Sequence, residues 1–347
     1  MVKVWSDLKM KRMNTMILAV AAVISAAPAA MGASVLGPAP GYSAFVFGNM
    51  TASSDTWGSV AVGGNATYSG GYNIKAATVG GNALVVGGNF SQNSSSINGN
   101  VVVGGTADYS NPSISGSLTA QNVGLTGGGS VSGGVKYYAS YNPAISYIGG
   151  VPQSGTLTLP VNFSAAQTAL TGLSNSLANS GPVQSASAQY GTLTLTGSSS
   201  VLDVFDITAA LLSSVNTIDL AVTGSPTVVV NVNGAAPTIG GGTNGFQASN
   251  TIWNFYNATT LSVSGIQLPG TVLAPNASLT FSGQIDGSVI VDNYNGGGEI
   301  DPGQFAGTIP AGGPLPAPST WALLFCGGLG LGGLALCRRK AADKYLA

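Results

Sequence analysis

A glycine repeat near the N-terminus constrains the fold more than any other feature of this chain. Each copy is a pair of glycines directly after a valine, and the pairs stand at 63–64, 80–81, 87–88 and 104–105. The steps are 17, 7 and 17 residues, so alternate steps add up to 24, and a fixed period of this kind is typical of a solenoid. Three short β-branched strands are predicted beside the repeat, at Val60–Val62, Leu84–Val86 and Val101–Val103. We expect the Gly-Gly-Asn segments to form corners, because glycine and asparagine tolerate positive φ.

Strands this short cannot bury a face alone, so the predicted fold is a stack of coils. Charged residues make up 6% of the chain, against roughly 25% in an average soluble protein, and Ser, Thr and Asn suit the outer faces of such coils. An amphipathic helix is predicted to lie along the stack and to stop at Gly181; its apolar face is Phe163, Ala166, Leu170, Leu173 and Leu177. The predicted fold is therefore mainly β, a right-handed β-helix (solenoid) with a flanking α-helix. A flat β-sandwich is the alternative.

The charge pattern and the absence of histidine exclude several function classes. Between Ala33 and Gly313 the only basic residues are Lys75 and Lys136, against nine acidic residues. Nucleic-acid binding needs clustered Lys and Arg, so no nucleic-acid partner is expected. The chain has no histidine, and its two cysteines, Cys326 and Cys337, lie near the C-terminus. The body of the chain therefore lacks the commonest metal ligands and the usual general base.

Two acidic pairs are the candidates for catalysis. Asp203 and Asp206 have the chemistry for glycoside hydrolysis, but Asp206 also precedes a short apolar run and is interpreted as a helix N-cap. Glu299 and Asp301 are either hydrolytic acids, Ca²⁺ ligands or members of a solvated turn, and the turn is favoured. We therefore predict that the protein is not an enzyme, with no catalytic, cofactor-binding or metal-binding residues and no cofactor.

Aromatic and threonine residues offer a binding surface instead. A sugar-stacking or adhesive role is considered for Trp57, Tyr68, Tyr72, Tyr137, Tyr138, Tyr141 and Tyr147. A core or helix-contact role is predicted for Trp253, Phe255 and Tyr256. The arrays Thr156/Thr158 and Thr192/Thr194/Thr196 resemble elements of an ice-binding face, but they do not recur at the coil period.

The N-terminus, residues 1–32, is predicted to be a secretory signal peptide. Lys9, Lys11 and Arg12 precede the apolar run 16–24, which is followed by small residues. Cleavage is expected at Ala27-Pro28-Ala29.

The C-terminus, residues 314–347, is predicted to be an anchor. Residues 320–337 carry no charge and span about 27 Å as a helix at about 1.5 Å per residue, close to the ~30 Å hydrocarbon core of a bilayer. Residues 338–347 would form a basic cytoplasmic tail. The segment resembles the PEP-CTERM sorting signal of Gram-negative bacteria through Pro316, Ala317, Pro318, Ser319, Thr320, Arg338 and Arg339. The resemblance implies an exosortase-type processing protease as a partner, although Ala317 replaces the usual glutamate of that signal.

The body of the chain, residues 33–313, resembles the choice-of-anchor A family of bacterial cell-surface domains. The matching segments are "GYSAFVFGNMTASSDTWGSVAVGGNATYSG", the Val-Val-Gly-Gly-Asn repeats, "VFDIT", "VVVNVNG", "IWNFYNAT" and "PGTVLAPNASLTFSGQIDGSVI". The layout is also similar to the ice-binding-like β-helix, in which a helix flanks the coils. These resemblances imply a secreted surface protein without established enzymatic chemistry.

Together these features predict an exported structural or adhesive protein of the bacterial envelope or extracellular matrix. It would be anchored at the inner membrane, transiently or stably, through its C-terminal helix, and its partner would be a matrix polysaccharide or a surface protein. A module that binds glycan, Ca²⁺ or ice is the first alternative. A glycan-cleaving enzyme is the second.

Overall fold

The chain winds into a parallel β-solenoid in the computed structural model, which describes residues 35–143 and 149–309. One sheet contains 19 strands, and the pairings between its strands are parallel. This confirms the prediction of a mainly β chain, and it excludes the flat sandwich, whose sheets are antiparallel. The right-handed winding stays a prediction.

The N-terminal half of the solenoid comprises residues 42–152. Its strands are β1 Tyr42–Val46, β2 Met50–Ala52, β3 Ser59–Val62, β4 Ala66–Tyr68, β5 Asn82–Val86, β6 Phe90–Ile97, β7 Asn100–Ile114, β8 Leu118–Thr126, β9 Ser130–Val131, β10 Val135–Pro143 and β11 Gly150–Pro152. The predicted strands at 60–62, 84–86 and 101–103 stack as expected: Val60 pairs with Leu84, and Leu84 pairs with Val101.

The fixed repeat period predicted from the sequence is wrong. The coil that leads from Asn65 to Asn89 has 24 residues. The two coils that follow are shorter, because Asn89 and Thr106, and then Asn100 and Ser117, are 17 residues apart. The glycine pairs at 63–64, 87–88 and 104–105 lie over one another in successive coils, and we call them the stacked corner. The pair at 80–81 lies instead in a turn just before β5.

Glycine was predicted at these corners because it tolerates a positive φ, but the structure shows another reason. None of Gly63, Gly87 and Gly104 has a positive φ. A Cβ added to Gly87 would overlap the carbonyl oxygen of Gly63, and one added to Gly104 would overlap that of Gly87. The corner therefore selects glycine because successive coils approach too closely for any side chain.

The C-terminal half of the solenoid comprises residues 183–301. Its strands are β12 Ser185–Gln189, β13 Thr192–Thr196, β14 Leu202–Thr208, β15 Thr217–Ala221, β16 Thr227–Asn233, β17 Thr238–Ile239, β18 Gly242–Asn244, β19 Thr251–Asn254, β20 Thr260–Pro269, β21 Thr271–Asp286, β22 Val289–Gly296 and β23 Glu299–Asp301. Strands β12, β13, β15 and β18 form a separate sheet of four. The coils are irregular here, since the coil that joins Leu202 to its partner Thr227 is longer than the one that joins Val272 to its partner Val289.

The two halves join at β1, in the middle of the stack. Ala44 pairs with Val60 on one side and with Val289 on the other. The chain therefore enters the solenoid at its centre, winds to one end at β11, returns to the other end at β14, and winds back to β1. Strands distant in sequence are consequently neighbours at this seam.

Helix α1, Phe163–Leu177, belongs to the segment by which the chain returns from β11 to the other end of the stack. It confirms the predicted amphipathic helix. Its buried face includes Ala166, Leu170, Leu173 and Leu177, which pack on one apolar cluster with β-sheet residues from both halves, such as Phe45 and Ile252. Its 15 residues span about 22 Å at about 1.5 Å per residue, which is between four and five strand spacings of about 4.8 Å.

Buried amides fix α1 to the sheet. Asn254 donates to the Ser174 carbonyl at 2.8 Å and to Asn231 Oδ1 at 2.8 Å, and Ser174 Oγ donates to Asn254 Oδ1 at 2.6 Å. Asn231 in turn donates to the carbonyl of Leu177 at 3.0 Å. The network pairs buried polar groups that would otherwise be costly to remove from water.

Within residues 35–143 and 149–309, no helix is long and apolar enough to cross a membrane. The predicted membrane helix, residues 320–337, lies outside the described residues, as do the signal peptide and the basic tail.

Candidate functional site

One outer surface of the solenoid is lined by short polar side chains, and we call it the polar face. It is formed by β2, β4 and the first part of β6, by the middle of β7 and the later parts of β8 and β10, and by β17, the first part of β20, the middle of β21 and the last part of β22. Side chains alternate along these strands: Met50, Ala66 and Phe90 are buried, whereas Thr51, Thr67 and Ser91 are exposed. The alternation follows from the two-residue period of a strand.

The central row of the polar face runs in register across both halves of the solenoid. In the N-terminal half it consists of Thr51, Thr67, Ser91, Asp108 and Gly124. In the C-terminal half it continues through Asn295, Thr280, Ser262 and Thr238. Adjacent members are about 4.8 Å apart, so the row is a regular array of hydroxyl and amide groups with one carboxylate.

A ladder of asparagines borders this row. The Oδ1 atom of Asn49 accepts a hydrogen bond from the Asn65 amide, and Asn65 Oδ1 accepts one from the Asn89 amide, both at 2.8 Å. Asn89 Oδ1 accepts from the Thr106 amide at 2.8 Å. The asparagines of the Gly-Gly-Asn repeat thus tie each corner to the next coil.

An open groove of about 270 Å³ lies in the N-terminal part of the polar face. Ser91, Asn93, Asp108, Ser110 and Thr126 line it. The Ser110 and Thr126 hydroxyls are hydrogen-bonded to each other at 2.6 Å.

The Asp108 carboxylate reaches the groove because the next strand carries glycine in register with it. Gly124 pairs with Asp108, and a Cβ at Gly124 would lie 2.5 Å from Asp108 Oδ1. Any larger residue at 124 would therefore displace the carboxylate.

The comparison with known families agrees with this architecture. Residues 35–302 match the model described as "Putative Ice-binding-like adhesive domain". The chain belongs to this family. No curated protein and no solved structure matches the chain. The match covers both halves of the solenoid, α1 and the polar face, so the adhesive domain includes all of these elements.

A second polar cluster of the adhesive domain surrounds β23. Gln284 Nε2 donates to Asp286 Oδ1 at 2.8 Å and to Asp301 Oδ2 at 2.6 Å, and the Trp57 indole donates to Glu299 Oε1 at 2.8 Å. Burial and repulsion from Glu299 and Asp286 raise the pKa of the Asp301 carboxyl above its usual value.

In the described part of the adhesive domain, no group of three or more acidic, histidine or cysteine residues is arranged to hold a metal ion. Glu299 and Asp301 belong to a strand rather than to the predicted turn.

Close to that cluster, Asp55 and Lys75 form an ion pair at 2.6 Å. Burial alone would raise the pKa of Asp55, but hydrogen bonds from Lys75 and Asn73 outweigh it and lower the pKa below its usual value.

The other predicted carboxylate pair does not converge. Asp203 is fully buried and accepts a hydrogen bond from the Ser199 amide at 3.0 Å, whereas Asp206 is exposed and accepts one from Asn231 at 2.9 Å. The prediction that Asp206 caps a helix is wrong. Helix α2, Ala209–Ser213, is capped by Thr208, whose side chain accepts from the Leu211 amide at 3.1 Å, because β14 continues through Asp206 to Thr208.

Two of the predicted surface aromatics lie in the core, and two others pack against it. Tyr68 and Tyr72 are buried with ring centroids 4.1 Å apart, and Tyr137 stacks on Tyr141 at 5.3 Å near the β11 end. Trp57 is 44% exposed. Tyr138 is partly buried, and Tyr147 lies outside the described residues.

The core role predicted for Trp253 and Phe255 is confirmed, whereas Tyr256 is only partly buried. The threonine arrays lie away from the polar face: Thr156 and Thr158 are outside any strand, and Thr192–Thr196 belongs to the separate sheet of four.

The sequence analysis missed the polar face. Its signal is weak, because the members of the central row recur at unequal steps along the chain: the step from Thr51 to Thr67 is shorter than the step from Thr67 to Ser91. The residues of the predicted sorting signal, 316–320, 338 and 339, and of the predicted cleavage site, 27 and 29, lie outside the described residues.

Proposed function

We propose that this protein is an exported adhesin or structural component of the bacterial surface or extracellular matrix. The observation that carries the proposal is the polar face, which continues without interruption across the seam between the two halves. With Asn142 of β10, which pairs with Gly124, its central row crosses ten strands, from β17 to β10, a length of about 43 Å at about 4.8 Å per spacing. A surface of this length suits an extended partner better than a small molecule, which usually binds in a single concave pocket.

Membership of an adhesive domain family supports a location at the cell surface. Export through residues 1–32 and anchoring through residues 314–347 complete the proposal, and they rest on the resemblance of these segments to a signal peptide and to the PEP-CTERM signal. The proposed address is the outer envelope or matrix, with a transient or stable stay at the inner membrane.

We include in the proposal that the protein is not an enzyme. What favours this is that Asp203 and Asp206 lie on opposite faces of one strand, one buried and one exposed. Glycosidase carboxylates instead flank one bond from about 5 to 9.5 Å apart.

Adhesion is tested with charge placed on the polar face. The host strain expresses the full-length chain with Thr51→Lys and Thr67→Lys, and the control strain carries Thr168→Lys and Asn175→Lys on the exposed side of α1. Both pairs add the same charge at exposed positions. We expect surface attachment to fall only in the polar-face variant. Equal attachment by the two variants, or wild-type attachment after deletion of the gene, would refute adhesion by this face.

Anchor processing is tested with Ala317→Glu, which restores the glutamate usual in the PEP-CTERM signal. We expect a larger fraction of shortened, released protein on an immunoblot of the cell and medium fractions. An unchanged size distribution in both the wild type and the variant, with all of the protein at full length, would refute exosortase processing.

Ice binding is a second candidate, because Thr238, Thr280, Thr51 and Thr67 lie exposed in one register row. Thermal hysteresis of the purified protein that is lost in the Thr51→Lys, Thr67→Lys variant would support ice binding. Absence of hysteresis would remove this candidate.

A further inference from the structure

We propose that the groove beside Asp108 is a subsite for a neutral, polyhydroxylated sugar chain. The inference rests on the proposed adhesive function and names the ligand class and the residues that would recognise it.

Asp108 differs from every other carboxylate in the described segments. Residues 35–143 and 149–309 contain nine acidic side chains, and eight of them have a hydrogen bond or an ion pair within the protein. The carboxylate of Asp108 has none in these segments. Because the other eight acids of these segments are paired, the one unpaired carboxylate in the groove is a candidate to accept hydrogen bonds from a partner.

The strand beside Asp108 keeps this carboxylate accessible. Glycine at 124 leaves the space that the carboxylate occupies, and its own backbone does not need glycine, since its φ is outside the left-handed region. The requirement for glycine therefore comes from the Asp108 side chain. Gly87 and Gly104, by contrast, make room for the backbone of the preceding coil, because the atom nearest to an added Cβ is a carbonyl oxygen there.

The other groups in the groove fit sugar hydroxyls. Ser91, Ser110 and Thr126 supply hydroxyls that both donate and accept, and Asn93 supplies an amide with both functions. A sugar hydroxyl would donate to Asp108 and accept from these neighbours. This pairing requires no charge on the ligand.

Charged ligands fit the groove less well. The basic residues of the described segments are Lys75, which is paired with Asp55, and Lys136, and neither lines the groove. An anionic polymer would therefore meet Asp108 without a compensating cation. A Ca²⁺ ion requires six to eight oxygen ligands, usually with several carboxylates, and Asp108 is the only acidic residue that lines the groove.

The polar face extends the subsite in the direction of the stack. Thr67 and Thr51 continue the row beyond Ser91, about 4.8 Å apart, and Asn295 follows across the seam. A sugar chain along this row would make several weak contacts, whose combined strength exceeds that of any one of them.

The experiment is affinity electrophoresis of the full-length chain in nonionic detergent. Native gels contain dextran, galactomannan or hydroxyethylcellulose as neutral polymers, or alginate as an anionic one. The test variants are Asp108→Asn, which keeps the shape of the side chain, and Gly124→Ala, which displaces the carboxylate. The matched controls are Asp219→Asn, which removes an acid from the separate sheet, and Gly128→Ala, whose Cβ would meet no atom within 4 Å.

We expect at least one neutral polymer to retard the wild type and both controls. Asp108→Asn should weaken its binding about tenfold, the difference between a charged and a neutral hydrogen-bond acceptor, and Gly124→Ala should weaken it at least as much. Thermal unfolding checks the fold of each variant, and the isosteric Asp108→Asn keeps the test decisive if Gly124→Ala unfolds.

Three results would overturn the inference: no retardation by any of the neutral polymers, equal retardation of Asp108→Asn and Asp219→Asn, or retardation only by alginate or only with added Ca²⁺. The attachment assay separates this failure from failure of the proposed function. If Asp108→Asn attaches like the wild type while Thr51→Lys, Thr67→Lys does not, adhesion stands and the sugar subsite is refuted.

Discussion

Two sets of asparagines, one in each half of the solenoid, hold neighbouring coils together in opposite environments. In the N-terminal half, Asn49, Asn65 and Asn89 are exposed, and each bonds the backbone of the next coil. In the C-terminal half, Asn231 and Asn254 are buried and bond each other and the backbone of α1.

This difference corresponds to whether the same contact repeats from coil to coil. The exposed ladder repeats one local contact, so its residues recur beside the same Gly-Gly corner and are visible in the sequence. The buried network links the sheet to one particular helix, so nothing recurs. A solenoid can therefore be stabilised by repetition in one half and by a single long-range network in the other.

The largest effect is expected at the repeated corner, with Gly87→Ala. The new Cβ would overlap the backbone carbonyl of Gly63, which cannot move without shifting the coil. We expect a loss of about 3–4 kcal/mol in the free energy of unfolding, measured by urea denaturation. Gly128→Ala is the control and should change stability by less than about 0.5 kcal/mol. Equal stability of the two variants would contradict close packing as the reason for the corner glycines.

The buried network is tested next, with Asn254→Ala. Removing this amide leaves Asn231 Oδ1 and the hydroxyl and carbonyl of Ser174 without these bonds in a buried site. We expect a loss of about 2–3 kcal/mol, together with faster hydrogen exchange of the α1 amides. Asn257→Ala removes an exposed amide that bonds Asn233 and should leave α1 protected. Unchanged exchange in α1 after Asn254→Ala would show that the network does not fix the helix.

The exposed ladder should tolerate the same change better. In Asn65→Ala the Asn89 amide loses its acceptor, but water can replace it at this exposed position. We expect a loss of about 1 kcal/mol, measured by the same denaturation. A loss as large as that of Asn254→Ala would end the contrast between the two halves.

The smallest effect is expected from Asp301→Asn, and its sign depends on pH. A carboxyl whose pKa is raised in the folded state disfavours folding at pH values above that pKa, and this penalty disappears as the pH falls below the pKa of the unfolded chain. The substituted amide would lack the repulsion from Glu299 and Asp286 and keep an oxygen acceptor for Gln284. We therefore expect a gain below about 1 kcal/mol at pH 7 and no gain at pH 3, measured by thermal unfolding. A gain that is equal at both pH values would contradict charge repulsion as its cause.

The sequence predicted the local strands and the helix well. It predicted poorly the features that depend on how these elements extend and contact distant parts of the chain. The strands at 60–62, 84–86 and 101–103 and the helix with Leu170 and Leu173 on its buried face follow from local periodicity, and the structure confirms them. The conformation of the corner glycines and the cap at Asp206 were wrong, because the first depends on the neighbouring coil and the second on how far β14 extends. The polar face was missed, since its residues meet only after coils of unequal length have stacked.

The amino-acid sequence alone determined that this chain is charge-poor and mainly β, with a repeated corner and one amphipathic helix, because these properties depend on composition and on spacing over a few residues. Only the tertiary structure decided that the chain enters its own stack at the centre, with Ala44 between Val60 and Val289. The physical reason is that backbone hydrogen bonds between strands do not depend on which side chains the strands carry. Strand β1 can therefore pair with any strand of suitable register. The apolar face under α1, which takes Phe45 from one half and Ile252 from the other, is complete only when the two halves meet at this seam.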